Sequence, residues 1–168
     1  MNSPSFKTIH RSDYQPPEFL VDSIDLLFRL DEQCTRVTAR SQVKRNQSAG
    51  DNNPDLVLYG RNLDLLKVSL DGEEIDGGRL VVTENELQIL EVPDSFRLEI
   101  ITTVNPQENT SLSGLYLSSS IFCTQCEAEG FRRITYYPDR PDVLARFSTR
   151  IEADQQKYPV LLSNGNLE

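Results

Sequence analysis

Three polar residues at a spacing of two, Gln125, Glu127 and Glu129, are the best candidates for chemistry in this 168-residue sequence. In an extended segment all three project from one face. An amide oxygen and a carboxylate aimed at one point suit an ammonium group, which brings a positive charge and three donors. A solvated strand face has the same spacing, and the residues alone leave both readings open. The same segment carries Cys123-Thr-Gln-Cys126, the spacing of a redox pair or of half a zinc knuckle. No second pair accompanies it, since Cys34 is the only other cysteine and His10 the only histidine. One histidine in a polar arm supplies neither a catalytic triad nor a tetrahedral metal site. The expectation is a reduced, structural cysteine pair, with no catalytic residue and no metal ligand in this sequence. There is no glycine-rich phosphate loop, and Asp71, Glu73 and Glu74 read as solvated charges at a hairpin tip.

The elements that must position these residues read as strands. Ile24, Leu26, Phe28 and Leu30 alternate with more polar neighbours, and Val37, Ala39 and Val43 do the same within Thr35 to Arg45. The polar stretch Asp31 to Cys34 joins the two as a hairpin. Gln47 to Pro54 is a loop, followed by strands over Leu56 to Tyr59 and Leu63 to Leu70. Asp71-Gly72 and Gly77-Gly78 are turn signals. Further strands follow over Leu80 to Thr83, Leu87 to Val92 and Phe96 to Val104. Leu144 to Ala153 alternates again, with Ala145, Phe147, Thr149, Ile151 and Ala153 on one side. Asp139 to Asp142 is a proline-punctuated corner able to open one short helical turn. Short connections and the lack of an amphipathic helix give an all-β architecture of mostly antiparallel strands, a β-sandwich or curved open sheet. Residues 1–19 form a polar arm and 20–166 a single β domain.

A net charge of −9 and a pI near 4.7 argue against nucleic acid, whose phosphates call for clustered Lys and Arg. No segment approaches the ~18 consecutive apolar residues of a membrane helix. The opening MNSPSFKTIHRSDYQPPEF lacks the apolar core of an export signal. With an odd number of cysteines, this gives an expectation of reduced thiols and a cytoplasmic location, with no membrane partner.

Four stretches of the second half are distinctive: Asn109 to Tyr116 (NTSLSGLY), Thr124 to Arg132 (TQCEAEGFR), Ile134 to Phe147 (ITYYPDRPDVLARF) and Tyr158 to Asn166 (YPVLLSNGN). With them the whole chain, and the second half most specifically, resembles the amino-terminal domain of the aminopeptidase N family, gluzincin zinc metallopeptidases. The opening Asp13 to Pro17 followed by Val21 to Leu30 is similar to the family's first strand. The resemblance implies a saddle-like β domain that packs on a catalytic domain of the same parent chain. It also implies that Gln125 and Glu127 hold the free α-amino group of peptide substrates. Zinc belongs to the parent enzyme and is held by the catalytic domain, whose H-E-x-x-H and G-A-M-E-N motifs do not occur in this sequence. The isolated chain is therefore expected to be inactive. Leu167 and Glu168 are either native or an added end.

Overall fold

The computed structural model describes residues 10–50 and 54–167. Among the described residues eleven strands make three sheets: β1 (Phe19–Arg29), β2 (Thr35–Arg45), β3 (Leu56–Tyr59), β4 (Asp64–Leu70), β5 (Glu73–Glu74), β6 (Leu80–Val82), β7 (Glu86–Ile89), β8 (Ser95–Val104), β9 (Gly114–Ser118), β10 (Ile121–Gln125) and β11 (Arg146–Glu152). The largest sheet has the order β11-β1-β2-β8-β4-β5, beside a three-stranded sheet β3-β7-β6 and the hairpin β9-β10. The chain is mainly β, as the alternation predicts.

Period-two burial explains why one face of the large sheet is covered. On β2, Val37, Ala39 and Val43 are 0–3% exposed, while Arg36 and Arg40 on the other face are exposed to solvent. A bulge between Val21 and Ser23 shifts the register of β1. It lets Phe19 and Val21 join Ile24, Leu26 and Phe28 in the core despite their odd numbering. Two contiguous clusters cover that face. In one, Val43, Val68, Phe96 and Ile100 meet Leu56, Leu58, Leu87 and Ile89 of the three-stranded sheet, completing a sandwich. In the other, Ile24, Leu26, Phe28 and Val37 meet Leu115, Ile134, Tyr137 and Val143 from the second half. Each such side chain contributes roughly 1.5–3 kcal/mol by leaving water. The opposite face is polar and carries the ion pairs Arg40–Glu99 (2.6 Å) and Lys44–Asp22 (2.7 Å).

Two features depart from the sequence reading. Strand β11 forms within the expected Leu144 to Ala153, but its burial does not alternate, Arg146 to Arg150 all being exposed, and it runs parallel to β1, with Ser23 opposite Arg146 and Arg29 opposite Glu152. A parallel neighbour needs a long crossover, and residues 105–145 supply it while covering the second cluster. The Asp139 to Asp142 corner forms no helical turn. Pro138 and Pro141 have no N–H to donate, and the corner is closed by Val143 N–H to Arg140 O at 3.2 Å. The short 3₁₀ turn lies earlier, at Phe131–Arg133. Of the arm, only residues from His10 onward are described. They include a 3₁₀ turn at Arg11–Asp13 and a hydrogen bond from Arg140 Nη2 to Gln15 O (2.8 Å). Residues 51–53 of the Gln47 to Pro54 loop lie outside the described residues, as does Glu168.

Candidate functional site

The segment that carries the candidate residues is not extended throughout. Strand β10 ends at Gln125, which pairs with Gly114 of β9. Cys126 to Gly130 then folds back as a tight turn, closed by Gly130 N–H to Cys126 O at 2.8 Å. Gly130 is required by space: a Cβ there would stand 2.5 Å from Gln125 O and 2.8 Å from Cys126 Cα. The expected single face of Gln125, Glu127 and Glu129 is therefore not formed. The turn carries Glu127 and Glu129 into the wall of an open cavity of about 490 Å³, whose lining does not include Gln125. All three side chains are exposed.

The remaining walls come from Arg132 and Arg133, just after the turn, and from segments distant in the sequence: Tyr59, Arg61, Asn85, Glu86 and Ser113. Two local structures bring them together. Tyr59 and Tyr137 exchange backbone hydrogen bonds of 2.9 and 3.0 Å, tying the end of β3 to the second half of the chain. Arg61 N–H then donates to Arg132 O at 2.8 Å. On the other side, Asn109 Nδ2 donates to Ser113 O and Leu115 O, both at 2.8 Å, and shapes the loop that leads into Gly114. The stretches NTSLSGLY and TQCEAEGFR thus both line one cavity, with ITYYPDRPDV behind them through Tyr137 and Asp139, although no local pattern in any of them shows that they would.

Arg132 is the anchor of the site. Its Nε donates to Asp139 Oδ2 at 2.9 Å and its Nη2 to Asp139 O at 3.0 Å. The backbone N–H of Arg132 reaches the same carboxylate at 3.2 Å, and Glu129 Oε1 lies 3.5 Å from Nη2. The guanidinium also stacks over the Tyr59 ring, 4.7 Å from its centroid. Beneath it, Phe131 packs edge-on to Tyr137 and Phe147 at centroid separations of 5.0 and 5.6 Å. Burial and then the neighbouring Arg61 charge lower the pKa of the Arg133 guanidinium. Burial, followed by the Asp139 charge, raises that of the Cys126 thiol. Cys126 is half-buried against the second core cluster, which fits a packing role better than a reactive one.

All three cysteines are free thiols. His10 is exposed and donates its backbone N–H to Asp13 Oδ2 at 3.1 Å. Among the described residues no group of three or more His, Cys, Asp or Glu is placed to hold a metal ion. No helix there is long and apolar enough to cross a membrane.

Comparison with known proteins gives a consistent answer. The family model of the Peptidase M1 N-terminal domain matches residues 30–168. Aminopeptidase N of Caulobacter vibrioides is 46% identical over 166 residues, covering 99% of this chain and 19% of the relative. Aminopeptidase N of Escherichia coli is 50% identical over 157 residues, covering 94% of this chain and 18% of the relative. Among solved structures, aminopeptidase A of Legionella pneumophila, in complex with aspartic acid, superposes with a TM-score of 0.86 at 36% identity. That match covers 92% of this chain and 18% of the neighbour. The chain therefore spans about a fifth of the length of its curated relatives. With the family model covering most of its residues, the chain belongs to the Peptidase M1 N-terminal domain family.

Proposed function

We propose that this chain is the amino-terminal domain, residues 20–166 with a preceding arm, of a cytoplasmic zinc aminopeptidase that removes amino-terminal residues from peptides. The observation that carries this reading is the 46–50% identity to two aminopeptidases N over nearly the whole chain. The domain packs on the catalytic domain of the same polypeptide, and the exposed Leu144, Phe147, Val160 and Leu162 are apolar surface suited to that contact. It contributes recognition of the substrate's free α-amino group through Glu127, with Gln125 at the end of β10. A carboxylate on a turn that projects into a cavity is suited to a terminal ammonium, which an internal peptide nitrogen cannot imitate.

Zinc, held by residues outside this chain, supplies Lewis-acid activation of water and of the scissile carbonyl when bound. This chain's part is to position the amine end of the substrate, which fixes the peptide bond next to the terminal residue as the one attacked. The test uses the full-length protein with a tripeptide and its N-acetylated form. The free tripeptide should lose its first residue, the acetylated one should not, and a chelator should abolish turnover until zinc is restored. Equal cleavage of both peptides, or turnover indifferent to chelation, overturns the reading.

A further inference from the structure

Three guanidinium groups line the cavity beside Glu127, and only one of them is used. Arg132 is saturated by Asp139, Glu129 and the Tyr59 ring. The side chains of Arg61 and Arg133 make neither a hydrogen bond nor an ion pair among the described residues. Three acidic side chains, Glu86, Glu127 and Glu129, line the same cavity, yet none of them pairs with Arg61 or Arg133 among the described residues. Two like charges held close together oppose each other unless an anion joins them.

Both arginines are also held at the backbone. Arg61 N–H donates to Arg132 O at 2.8 Å. The stem of Arg133 lies against Gly114, where an added Cβ would fall 2.5 Å from Arg133 Cβ. These contacts fix where the two side chains leave the backbone, and the planar fork of a guanidinium matches a carboxylate.

We infer that Arg61 and Arg133 form a seat for one carboxylate group in the cavity lined by Glu127. The acidic walls set the charge of the guest. Glu86, Glu127 and Glu129 repel a multiply charged anion such as a phosphate, whereas a single carboxylate is balanced by the pair. Two sources carry that chemistry: the terminal carboxylate of a short peptide whose ammonium lies at Glu127, or an acidic side chain of the polypeptide that packs on this domain. The substrate source rests on the aminopeptidase reading, whereas the seat itself does not.

The experiment compares full-length wild-type protein with Arg61→Met and Arg133→Met. Methionine keeps an unbranched apolar stem, so the packing against Gly114 is retained. Turnover of Ala-Ala-Ala and of its carboxamide is measured together with the melting temperature at low and high salt. If the guest is the substrate carboxylate, each variant loses about tenfold or more in kcat/KM on the free acid relative to the amide. If the guest belongs to the protein, the two substrates change together and the melting temperature falls, more at low salt than at high. A relative change within about twofold with an unaltered melting temperature overturns the seat. Should the wild type hydrolyse neither peptide, the aminopeptidase reading fails, and the melting arm alone decides the seat.

Discussion

Gly114 and Arg133 lie so close that no side chain fits between them: a Cβ on Gly114 would stand 2.5 Å from Arg133 Cβ and 3.2 Å from Arg133 O. Gly114 also has a φ of +76°, in the region that residues with a Cβ rarely occupy. It opens β9 opposite Gln125, the last residue of β10. One glycine thus joins the hairpin to the 3₁₀ turn that carries Arg132 and Arg133. Gly114→Ala should destabilise the domain by about 2 kcal/mol or more, since backbone strain and a steric clash add. Urea denaturation of the two proteins checks this, and a change below about 0.5 kcal/mol would show that the close approach has no energetic consequence.

The strands were legible because a half-buried sheet writes its burial directly into the sequence as period two. Val37, Ala39 and Val43 are the plainest case. Asp71-Gly72 also behaves as its composition says, with φ of +50° and +92° at the tip between β4 and β5. The same rule misleads at Gln125, Glu127 and Glu129. Their alternation imitates a strand face, while the conformation is decided by the close approach of Gly130 to Gln125 O, which spacing does not reveal. Arg61, Glu86 and Arg133 were illegible for a different reason. They meet only because Tyr59 pairs with Tyr137 across a large sequence separation. The parallel placement of β11 depends on a crossover, and alternation is blind to strand direction.

Tyr137 places a phenol in the core with no hydrogen-bond partner for its hydroxyl among the described residues, at 5% exposure. Burial, followed by the Asp139 charge, raises its pKa from 10.0 to about 12. An acid whose folded-state pKa is raised contributes stability that is complete below the unfolded value and is lost as pH rises through the folded one. Wild-type stability should therefore decline between about pH 10 and about pH 12, and Tyr137→Phe should remove part of that decline. At neutral pH the variant should be as stable as wild type or up to ~1 kcal/mol more so, because the aromatic packing survives and an unpaired buried hydroxyl is gone. Urea midpoints across this range test both statements. A loss above ~1 kcal/mol at neutral pH would mean that the hydroxyl has a partner.

The cysteines should differ in reactivity in the order that their surroundings dictate. Cys34 is exposed, whereas Cys126 is half-buried with its thiol pKa raised by burial and by the Asp139 charge. Because the thiolate is the reacting species, alkylation at neutral pH should modify Cys34 well before Cys126. Peptide mapping of time points by mass spectrometry reads the order. Denatured protein should titrate as three free thiols, and a mild reductant should leave the melting temperature unchanged. Cys126 reacting first would contradict its placement against the core.

Glu127 gives the sharpest test of the proposed amine recognition, made in the full-length enzyme. It sits on a turn that projects into the cavity, whereas Glu129 on the same turn lies 3.5 Å from the guanidinium of Arg132. Glu127 makes no ion pair or hydrogen bond of its own among the described residues, so its carboxylate is available to an ammonium. Loss of a charge-assisted contact typically costs ~1.5–3 kcal/mol, or roughly 10- to 150-fold in kcat/KM. Glu127→Ala should fall in that range with zinc content and melting temperature unchanged. Gln125→Ala should lose less, because its amide is neutral and Gln125 does not line the cavity. Glu129→Ala should lose least in turnover, its effect confined to a small loss of stability through Arg132, since one exposed ion pair is worth only ~0–1 kcal/mol. If all three variants stay within about threefold of wild type, the carboxylates form a solvated turn and the amine is held elsewhere. If Glu129 proves the sensitive position, the ion pair with Arg132 must open when substrate binds. The ammonium site would then lie one turn position nearer the arginines than Glu127.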